Sequence, residues 1–414
     1  MISIGTELTA GQAVDTNSAW ISSKLNGVGV KVAKHVTVGD HLAVVTDAIR
    51  DAIAQADLVV ITGGLGPTPD DLTREAIADA VDAPLEEHLE AIDQIQNFFK
   101  RLGRSMPESN RCQAMMPAGA RVVPNLRGTA PGIALRCGKC TLYALPGVPF
   151  EMEAMFESHV LPDLAAASDG ACCLSGSVKC FGISEASLGE TLADLMDRDR
   201  NPVVGTTGSD AVLTVRILAS GKSRDEAKGL LDKDRLEIRR RLGSAVFGDE
   251  AATLQSAVGT LLLEAGKTVA TAESCTAGML AACLTEVPGS SGYFPRGYVT
   301  YSNESKVAML GLEQSLIDEH GAVSGPVAEA MAVRCRDRAS VDFALAITGI
   351  AGPSGGSEPD KPVGLAFIAL AGPAGVEVKR FLLGDYLSRA QIRDRSCQLA
   401  LNLLRLHLLA TDTA

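Results

Sequence analysis

The stretch Leu58-Val-Val-Ile-Thr-Gly-Gly-Leu-Gly-Pro-Thr-Pro-Asp-Asp71 passes from a short apolar run into a glycine-rich loop, and a helical pattern follows it. A strand, a loop and a helix in that order form the repeating unit of an open parallel sheet. The preceding chain has the same order, with apolar runs at 2–4 and 30–38 and helical patterns at 16–25 and 42–55. The sequence therefore predicts an α/β domain, a sheet flanked by helices, that ends near residue 165.

Two further regions follow this domain. The first is a small α+β unit, with predicted strands at 172–181 and 211–219 and predicted helices at 184–195 and 224–242. The α/β alternation then resumes, with strands predicted at 267–272, 297–301, 343–348 and 364–370, a helix that begins near Ser274, and a last helix at 388–409. We expect two α/β/α sandwich domains, 1–165 and 249–414, joined by an α+β domain at 166–248.

The composition argues against some classes of partner. The chain has 414 residues and a formal net charge of -12, whereas nucleic acid and anionic lipid both attract a basic protein surface. No apolar run reaches the roughly 18 residues that suggest a membrane span, and the first residues lack the pattern of a signal peptide. We therefore expect a cytoplasmic protein with reduced cysteines and with no membrane or direct nucleic-acid partner.

Two local patterns have simple structural interpretations. Cys137-Gly-Lys-Cys140 has zinc-ribbon spacing, but neither a second pair nor a local histidine accompanies it, so the pattern predicts a turn between strands. A basic cluster ends the helix predicted at 224–242, and acidic residues lie within and beside it. This mixture favours a solvated helix face over a nucleic-acid patch. The cluster comprises Arg235, Arg239, Arg240 and Arg241.

Ser274 lies where a predicted strand passes into a helix, in Glu273-Ser-Cys-Thr-Ala-Gly278. Taken alone, it is most simply the N-cap of that helix, because serine accepts hydrogen bonds from free backbone amides. The alternative is a nucleophile whose hydroxyl attacks a carbonyl while amides at the helix start stabilise the oxyanion. Cys275 is either a competing nucleophile or a small core residue.

A serine nucleophile needs a base. The nearest histidine in the sequence, His320, lies in an acidic segment at a helix end. Lys306, in Tyr301-Ser-Asn-Glu-Ser-Lys306, is the candidate, because desolvation can lower the pKa of a lysine into the working range. Tyr301 could relay a proton or hold the hydroxyl. The plainer alternatives are an aromatic residue at a strand end and a solvated lysine in a first helical turn.

Glycine-rich segments suggest ligand loops in both halves of the chain. Ile347-Thr-Gly-Ile-Ala-Gly-Pro-Ser-Gly-Gly-Ser357 has backbone that could hold a phosphate or an amide oxygen, although it matches neither Walker nor dinucleotide spacing. Arg389, Arg393 and Arg395 either clamp a phosphate or are solvated. Near the N-terminus, the loop before Asp70 and Asp71 is a candidate anion cradle with carboxylates for a hard cation, or else an Asp-capped helix start.

Five ordered motifs resemble the C-terminal domain of the CinA family. They are Thr271-Ala-Glu-Ser-Cys-Thr-Ala-Gly278, Gly289-Ser-Ser-Gly-Tyr-Phe-Pro-Arg-Gly297, Val299-Thr-Tyr-Ser-Asn-Glu-Ser-Lys306, Gly321-Ala-Val-Ser324, and Gly349-Ile-Ala-Gly-Pro-Ser-Gly-Gly356 with Lys361-Pro-Val-Gly364. The resemblance implies hydrolysis of the carboxamide of nicotinamide mononucleotide to nicotinate mononucleotide and ammonia. It also implies a serine-based route without a metal, with Ser274 as nucleophile and Tyr301 and Lys306 as its activating partners.

The resemblance also indicates residues that contact the substrate. The family's Gly-Asp-Arg segment is interrupted here, because Gly384-Asp385 is followed by three residues before Arg389, so either Arg389 or Arg393 takes the role of its arginine. With these arginines, the expected substrate contacts are Thr276, Gly278, Arg296, Thr348, Gly349, Gly352, Gly355 and Gly356.

Residues 1 to about 155 resemble the family's N-terminal domain, which is similar to the molybdopterin-binding fold. In some relatives this domain hydrolyses ADP-ribose with a divalent metal such as Mg²⁺ and with K⁺, so the resemblance implies metal binding by Asp70 and Asp71. The expected nucleotide contacts are Glu7, Asp15, Asn17, Gly63, Gly64, Gly66, Thr68 and Gly128. The middle unit resembles the family's KH-type domain without the GXXG loop of RNA-binding modules, and the resemblance suggests a homodimer.

Two functions from different classes remain open on this basis. The first is a bifunctional enzyme of pyridine-nucleotide salvage. The second is a nucleotide- or pterin-binding regulatory protein, linked to competence or DNA damage, whose loops bind a ligand without turnover. Intact Ser274, Tyr301 and Lys306 favour catalysis in the C-terminal half.

Overall fold

The computed structural model describes residues 1–167, 170, 172–355 and 361–411. The chain forms two compact units, Met1–Ser175 with Leu218–Leu231, and Gly176–Ile217 with Asp232–Ala414. In the described ranges, no helix combines the length and the apolar character that crossing a membrane requires.

The N-terminal domain is built around a six-stranded sheet of order β2-β1-β3-β8-β7-β6, with β4 and β5 paired separately. Its strands β1 to β8 are Ile2–Ile4, Val36–Val38, Leu58–Thr62, Leu85–Glu87, Met115–Pro117, Arg121–Val123, Gly132–Cys137 and Cys140–Leu145. Its helices α1 to α7 are Thr6–Thr9, Thr16–Gly27, Leu42–Gln55, Thr73–Ala80, Leu89–Arg101, Pro149–Met155 and Leu161–Ala167. A 3-10 helix spans Glu108–Ala114 and a π-helical segment spans Phe156–Val160.

Alternating side chains of this sheet supply two separate cores. Val59 and Ile61 pack with residues of α3, α4 and α5, whereas Val60 packs with residues of α2 and α6. Because successive side chains of a strand point to opposite faces, helices cover both faces of the sheet. The sheet is mixed rather than wholly parallel, since β7 pairs antiparallel with both β6 and β8. Cys137 and Cys140 are cross-strand partners at the β7–β8 turn, as predicted.

The middle region contains a four-stranded sheet of order β10-β11-β9-β12. Its strands β9 to β12 are Cys172–Phe181, Val203–Ser209, Val212–Gly221 and Val246–Asp249, and its helices α8 and α9 are Glu185–Thr191 and Arg224–Leu242. Short 3-10 helices span Ala193–Met196 and Gly243–Ala245. Each of the clustered arginines of α9 has an acidic partner, which agrees with the preference for a structural over a nucleic-acid role of this helix face. The pairs are Arg235–Glu250, Arg239–Asp249, Arg240–Glu237 and Arg241–Asp194.

The C-terminal domain has a five-stranded sheet of order β14-β13-β15-β16-β17. Its strands β13 to β17 are Val269–Glu273, Arg296–Val299, Phe343–Gly349, Leu365–Gly372 and Gly375–Leu382. Its helices α10 to α15 are Leu254–Glu264, Met279–Thr285, Asn303–Ser305, Gln314–His320, Gly325–Ala339 and Arg389–Thr411. A 3-10 helix spans Ser290–Gly292, and a π-helical segment, Lys306–Leu310, directly follows α12.

Two cores again lie on opposite faces of this sheet. Leu345 and Ile347 pack with residues of α10, α11 and α15, whereas Ala344 and Ala346 pack with residues of α13 and α14. Strands β13, β14 and β15 are parallel, and β16 and β17 continue the sheet antiparallel. The three parallel strands therefore bring their following loops to one edge.

Several predicted elements differ from the structure. The helix predicted to begin near Ser274 begins at Met279, and the strand predicted at 30–38 is confined to Val36–Val38. The helix predicted at 42–55 agrees with α3 at both ends. Strand β17 was not predicted, because its side chains are mostly exposed and therefore lack the apolar alternation of a half-buried strand.

Candidate functional site

The candidate site lies at the carboxyl edge of the C-terminal sheet. Glu273 and Val299, the last residues of the parallel neighbours β13 and β14, are register partners. Ser274 follows β13, and its backbone N–H donates to the carbonyl of Ile347 in β15 at 2.9 Å. Loops at the carboxyl ends of such strands are where open α/β sheets bind ligands.

The side chains of Ser274 and Lys306 meet at this edge. The Nζ atom of Lys306 lies 3.1 Å from the Oγ atom of Ser274. Lys306 is only 1% exposed and Ser274 9% exposed. The structure therefore brings together the nucleophile and the base that the sequence suggested, although they are 32 residues apart.

The buried amine of Lys306 has no ion-pair partner among the described residues. Its Nζ atom also contacts three backbone carbonyls, those of Thr300 at 2.9 Å, Tyr301 at 3.3 Å and Ser302 at 3.5 Å. Burial lowers the pKa of Lys306 from its ordinary value, since desolvation penalises the ammonium form. In its neutral form the amine has two N–H groups, enough for the two nearer carbonyls, those of Thr300 and Tyr301, and a lone pair that can accept the proton of the Ser274 hydroxyl.

Glu273, rather than Ser274, accepts the hydrogen bonds from the backbone N–H groups at the start of α11. Its carboxylate, which is fully buried, accepts hydrogen bonds from the N–H groups of Gly278 at 3.0 Å, Leu280 at 2.9 Å and Ala281 at 2.8 Å. The N-cap position is occupied by Gly278 in a left-handed conformation, with φ 91°. The N-cap interpretation of Ser274 is therefore wrong, and its hydroxyl is free to face Lys306.

The backbone amides at the start of α11, which were expected to stabilise an oxyanion, are not available, because they already donate to Glu273. The chain instead offers the N–H groups of Cys275 and Thr276, which donate no hydrogen bond within the described residues. They immediately follow Ser274, where a tetrahedral oxyanion would form. Burial raises the pKa of the Cys275 thiol to about 11, which disfavours its thiolate as the nucleophile.

Tyr301 takes a different position from the one that the sequence suggested. Its carbonyl contacts Lys306, but its side chain is exposed, and its hydroxyl accepts from Nη2 of Arg389 at 3.2 Å. No hydrogen bond of the described residues joins this hydroxyl to Ser274 or Lys306. Tyr301 is therefore at the mouth of the site, with Arg389, rather than beside the nucleophile.

Two arginines of α15 flank the site and have no acidic partner among the described residues. Arg389 donates to the carbonyl of Gly352 at 2.7 Å, and Arg393 donates to the carbonyl of Thr276 at 2.7 Å. The Nε atom of Arg393 is buried and has no hydrogen-bond partner in the structure. Uncompensated guanidinium groups at a helix N-terminus favour an anion such as a phosphate.

The other residues predicted to contact the substrate lie in different environments, and not all of them are near Ser274. The Thr348 hydroxyl donates to the carbonyl of Ala322 at 2.8 Å, and a Cβ at Gly349 would lie 2.7 Å from the carbonyl oxygen of Leu365, so sheet packing explains this glycine. Gly355 is exposed next to Lys361, whereas Gly356 lies outside the described residues. Arg296 begins β14, at the end of the strand opposite to Ser274, and donates to the carbonyl of Arg338. The structure therefore does not bring Arg296 to the site.

A second set of polar loops lies at the carboxyl edge of the N-terminal sheet. After β3, Gly63 and Gly64 have φ values of 105° and 67°. The N–H groups of Gly64, Leu65 and Gly66 donate no hydrogen bond within the described residues. Three free amides behind a turn of positive φ form a concavity suited to an anion, as the sequence suggested.

Buried polar contacts fix the shape of this loop. Arg74 is 2% exposed and donates to the carbonyls of Leu65 at 2.8 Å and Gly66 at 2.9 Å. Asn17 donates to the Thr62 hydroxyl at 3.0 Å and to the carbonyl of Gly147 at 2.9 Å, which links the loops after β3 and β8. These contacts leave the loop ordered before any ligand arrives.

Asp70 and Asp71 have different environments. The Oδ2 atom of Asp71 accepts from both the N–H at 2.9 Å and the hydroxyl at 2.5 Å of Thr68. Asp70 is exposed, and its carboxylate accepts no hydrogen bond within the described residues. The described residues contain no cluster of three or more His, Cys, Asp or Glu side chains for a metal. Asp70 and Asp71 are the residues that could hold Mg²⁺, which commonly takes one or two carboxylates and completes its octahedron with phosphate oxygens and water.

Three other predicted contacts are explained by packing. Asp15 is the N-cap of α2 and accepts from the N–H of Ser18 at 2.9 Å and the hydroxyl of Ser3 at 2.6 Å. A Cβ at Gly128 would lie 1.9 Å from a carboxylate oxygen of Glu151. Glu7 is exposed in α1 and folds its carboxylate back toward Gly5.

The fold and the site define an α/β protein with a buried serine–lysine pair at the edge of its C-terminal sheet. Residues 1–166 match the probable molybdopterin binding domain, residues 175–248 the damage-inducible protein CinA KH domain, and residues 251–408 the CinA C-terminal domain. The chain is 42% identical over 417 residues to a CinA-like protein of Citrifermentans bemidjiense, which covers 100% of this chain and 98% of that protein.

Further relatives agree in their description. A CinA-like protein of Geobacter metallireducens is 42% identical over 413 residues, covering 99% of each chain. The crystal structure of competence/damage inducible protein CihA from Agrobacterium tumefaciens is 41% identical and covers 37% of this chain and 93% of that chain, with a TM-score of 0.36. The identity of 42% to these full-length CinA-like proteins shows that the chain belongs to the CinA family.

Proposed function

We propose that the C-terminal domain hydrolyses the carboxamide of nicotinamide mononucleotide to nicotinate mononucleotide and ammonia. One observation carries the proposal: the buried amine of Lys306 lies 3.1 Å from the hydroxyl of Ser274 and has no acidic partner in the described chain. Burial lowers the pKa of Lys306 and so favours its neutral, basic form. The identity of the substrate is inferred from the family resemblance.

The reaction would proceed through an ester. Lys306 takes the hydroxyl proton while the Ser274 oxygen attacks the carboxamide carbon, and the amides of Cys275 and Thr276 stabilise the oxyanion. The carbon–nitrogen bond then breaks, Lys306 returns the proton to the leaving nitrogen, and ammonia departs. A water molecule, deprotonated by Lys306, attacks the ester and releases the acid and the free serine.

Arg393 and Arg389 are placed to bind the phosphate of this substrate. Neither guanidinium forms an ion pair within the described residues, and both belong to the first two turns of α15, the end at which the helix dipole favours an anion. Tyr301, held by Arg389, would then cover the pyridine ring or the ribose from the exposed side of the site.

We expect purified protein to release ammonia from nicotinamide mononucleotide, and Arg393→Gln to raise KM about 10- to 100-fold, as loss of a hydrogen bond to a charged group does. With nicotinamide riboside, which lacks the phosphate, the same substitution should change KM far less. Ammonia release is measured by a coupled glutamate dehydrogenase assay.

Arg334→Gln is the matched control, because Arg334 is exposed on α14, which packs on the opposite face of the sheet from α15. It should leave both substrates unaffected. No ammonia from well-folded wild-type protein would contradict the proposed activity, and equal KM changes for the two substrates would contradict the role of Arg393 in phosphate binding.

A second activity is proposed for the N-terminal domain: hydrolysis of the diphosphate bond of ADP-ribose to AMP and ribose 5-phosphate. The free amides of Gly64, Leu65 and Gly66 support it, since they suit a phosphate. Asp70 and Asp71 would hold a divalent cation such as Mg²⁺, which supplies charge stabilisation at the diphosphate. The competing function is binding of a nucleotide or pterin without turnover.

Asp70→Ala is expected to lower Mg²⁺-dependent formation of AMP from ADP-ribose at least about tenfold, because the cation loses one of its carboxylates. Ammonia release from nicotinamide mononucleotide should not change. Asp93→Ala, at an exposed position of α5, is the matched control. AMP is detected by chromatography, and binding of ADP-ribose is measured by calorimetry. Binding of ADP-ribose with no AMP formed would favour the non-catalytic function.

A further inference from the structure

Two cysteines on different helices line the same cavity of the second compact unit. The cavity has a volume of about 320 Å³, and both Cys283 of α11 and Cys397 of α15 contribute to its wall. Cys397 is a fully buried member of the apolar core, and Cys283 packs against that core at partial exposure. We propose that Cys283 and Cys397 form an oxidisable dithiol, which a peroxide converts into a disulfide bond between α11 and α15.

The pKa values of the two thiols are shifted in opposite directions, as an attacking and a resolving cysteine require. The neighbouring Cys397 thiol lowers the pKa of Cys283, although partial burial opposes the shift. The same contact, together with burial, raises the pKa of Cys397. Elsewhere, burial raises the pKa of Cys180 to about 11 and that of Cys335 to about 12. Since the thiolate is the nucleophile, Cys283 would react first and Cys397 would resolve the product.

The electron balance requires only the peroxide. The Cys283 sulfur attacks one peroxide oxygen, the oxygen–oxygen bond breaks, and the departing hydroxide takes up the thiol proton as water. The Cys397 sulfur then attacks the sulfenic acid, a sulfur–sulfur bond forms, and hydroxide leaves with the Cys397 proton as a second water. Two thiols and hydrogen peroxide thus give one disulfide and two water molecules.

The position of the bond gives it a structural effect. Helix α11 follows the loop of Ser274, and Arg393 lies four residues before Cys397, on the same face of α15. The hydrogen bond from Arg393 to the Thr276 carbonyl already links α15 to that loop. A disulfide would make this link covalent. The proposal concerns thiol chemistry and stands independently of the substrate of the site.

Mapping of disulfide-linked peptides tests the proposal. The full chain is oxidised with hydrogen peroxide, unfolded with iodoacetamide present, and digested with trypsin without reductant. Trypsin leaves Cys283 in peptide 268–296 and Cys397 in peptide 396–405. We expect mass spectrometry to find these two peptides joined, and dithiothreitol to separate them.

Peptide 268–296 also contains Cys275, so single variants assign the bond. The link should disappear in Cys283→Ser and persist in Cys275→Ser. Three results would overturn the proposal: a link that survives in Cys283→Ser, both cysteines alkylated in oxidised wild-type protein, or Cys283 found as sulfinic acid with Cys397 still a free thiol.

Discussion

Ser274→Ala is expected to lower kcat for ammonia release from nicotinamide mononucleotide at least about a thousandfold, since loss of a covalent nucleophile removes the whole ester route. The fold should be unaffected, because Glu273 rather than Ser274 holds the amides at the start of α11. Far-ultraviolet circular dichroism and the midpoint of thermal unfolding should therefore match the wild type. Rates come from the coupled ammonia assay.

Ser291→Ala is the control for this change, because the Ser291 side chain is exposed and forms no hydrogen bond within the described residues. Its activity should equal that of the wild type. Cys275→Ala should also retain most of its activity. If Ser274→Ala remained active while Cys275→Ala did not, the nucleophile would be the thiol, and the mechanism proposed for Ser274 would be wrong.

Lys306→Arg is expected to abolish ammonia release, with a loss of about a hundredfold to ten-thousandfold, the usual contribution of a general base. The guanidinium group cannot lose a proton under physiological conditions, so it cannot accept one from Ser274. Lys306→Met, which is similar in length and apolar, should be equally inactive. Measuring both variants separates loss of the base from strain caused by the larger arginine.

Lys267→Arg provides the matched control. Lys267 precedes β13, the strand that ends before Ser274, and forms an ion pair with Asp342 at 2.9 Å. A permanent charge suffices there, so this variant should keep wild-type activity. Substantial turnover by correctly folded Lys306→Arg would show that Lys306 is not the base.

The pH dependence has a definite sign. Burial lowers the pKa of Lys306, and activity should rise with pH through that lowered value, because only the neutral amine accepts a proton. Between the lowered pKa and that of an ordinary lysine, the unfolded chain binds a proton that the folded chain does not. Raising the pH through this window should therefore increase the free energy of unfolding.

Much of the C-terminal site could be predicted from the sequence. The apolar run before Glu273 and the one that ends near Tyr301 both predicted strands, and parallel neighbours bring their carboxyl ends to one edge. Ser274 follows the first of these strands and Lys306 lies shortly after the second, so the sequence predicted that the two side chains lie close together. The glycine loop after β3 was predicted in the same way from its position behind a buried strand.

The predictions about the site that differ from the structure do so for local physical reasons. A serine before an apolar helix cannot be told from an N-cap by pattern, and only the structure shows that the carboxylate of Glu273 occupies those amides. Arg296 was assigned to the site, but β14 begins at Arg296 and ends at Val299, so this arginine lies at the far end of the strand. The partner of Tyr301, Arg389, is 88 residues away in the chain, and no local pattern indicates it.

The carboxylate of Glu273 has a consequence for how this site can change. Because Glu273 anchors the helix, the side chain at position 274 has no part in holding the start of α11. A cysteine or threonine placed there would meet the same lysine and the same two amides without loosening that helix. The nucleophile proposed for this site could therefore be replaced by another attacking atom while the domain keeps its fold.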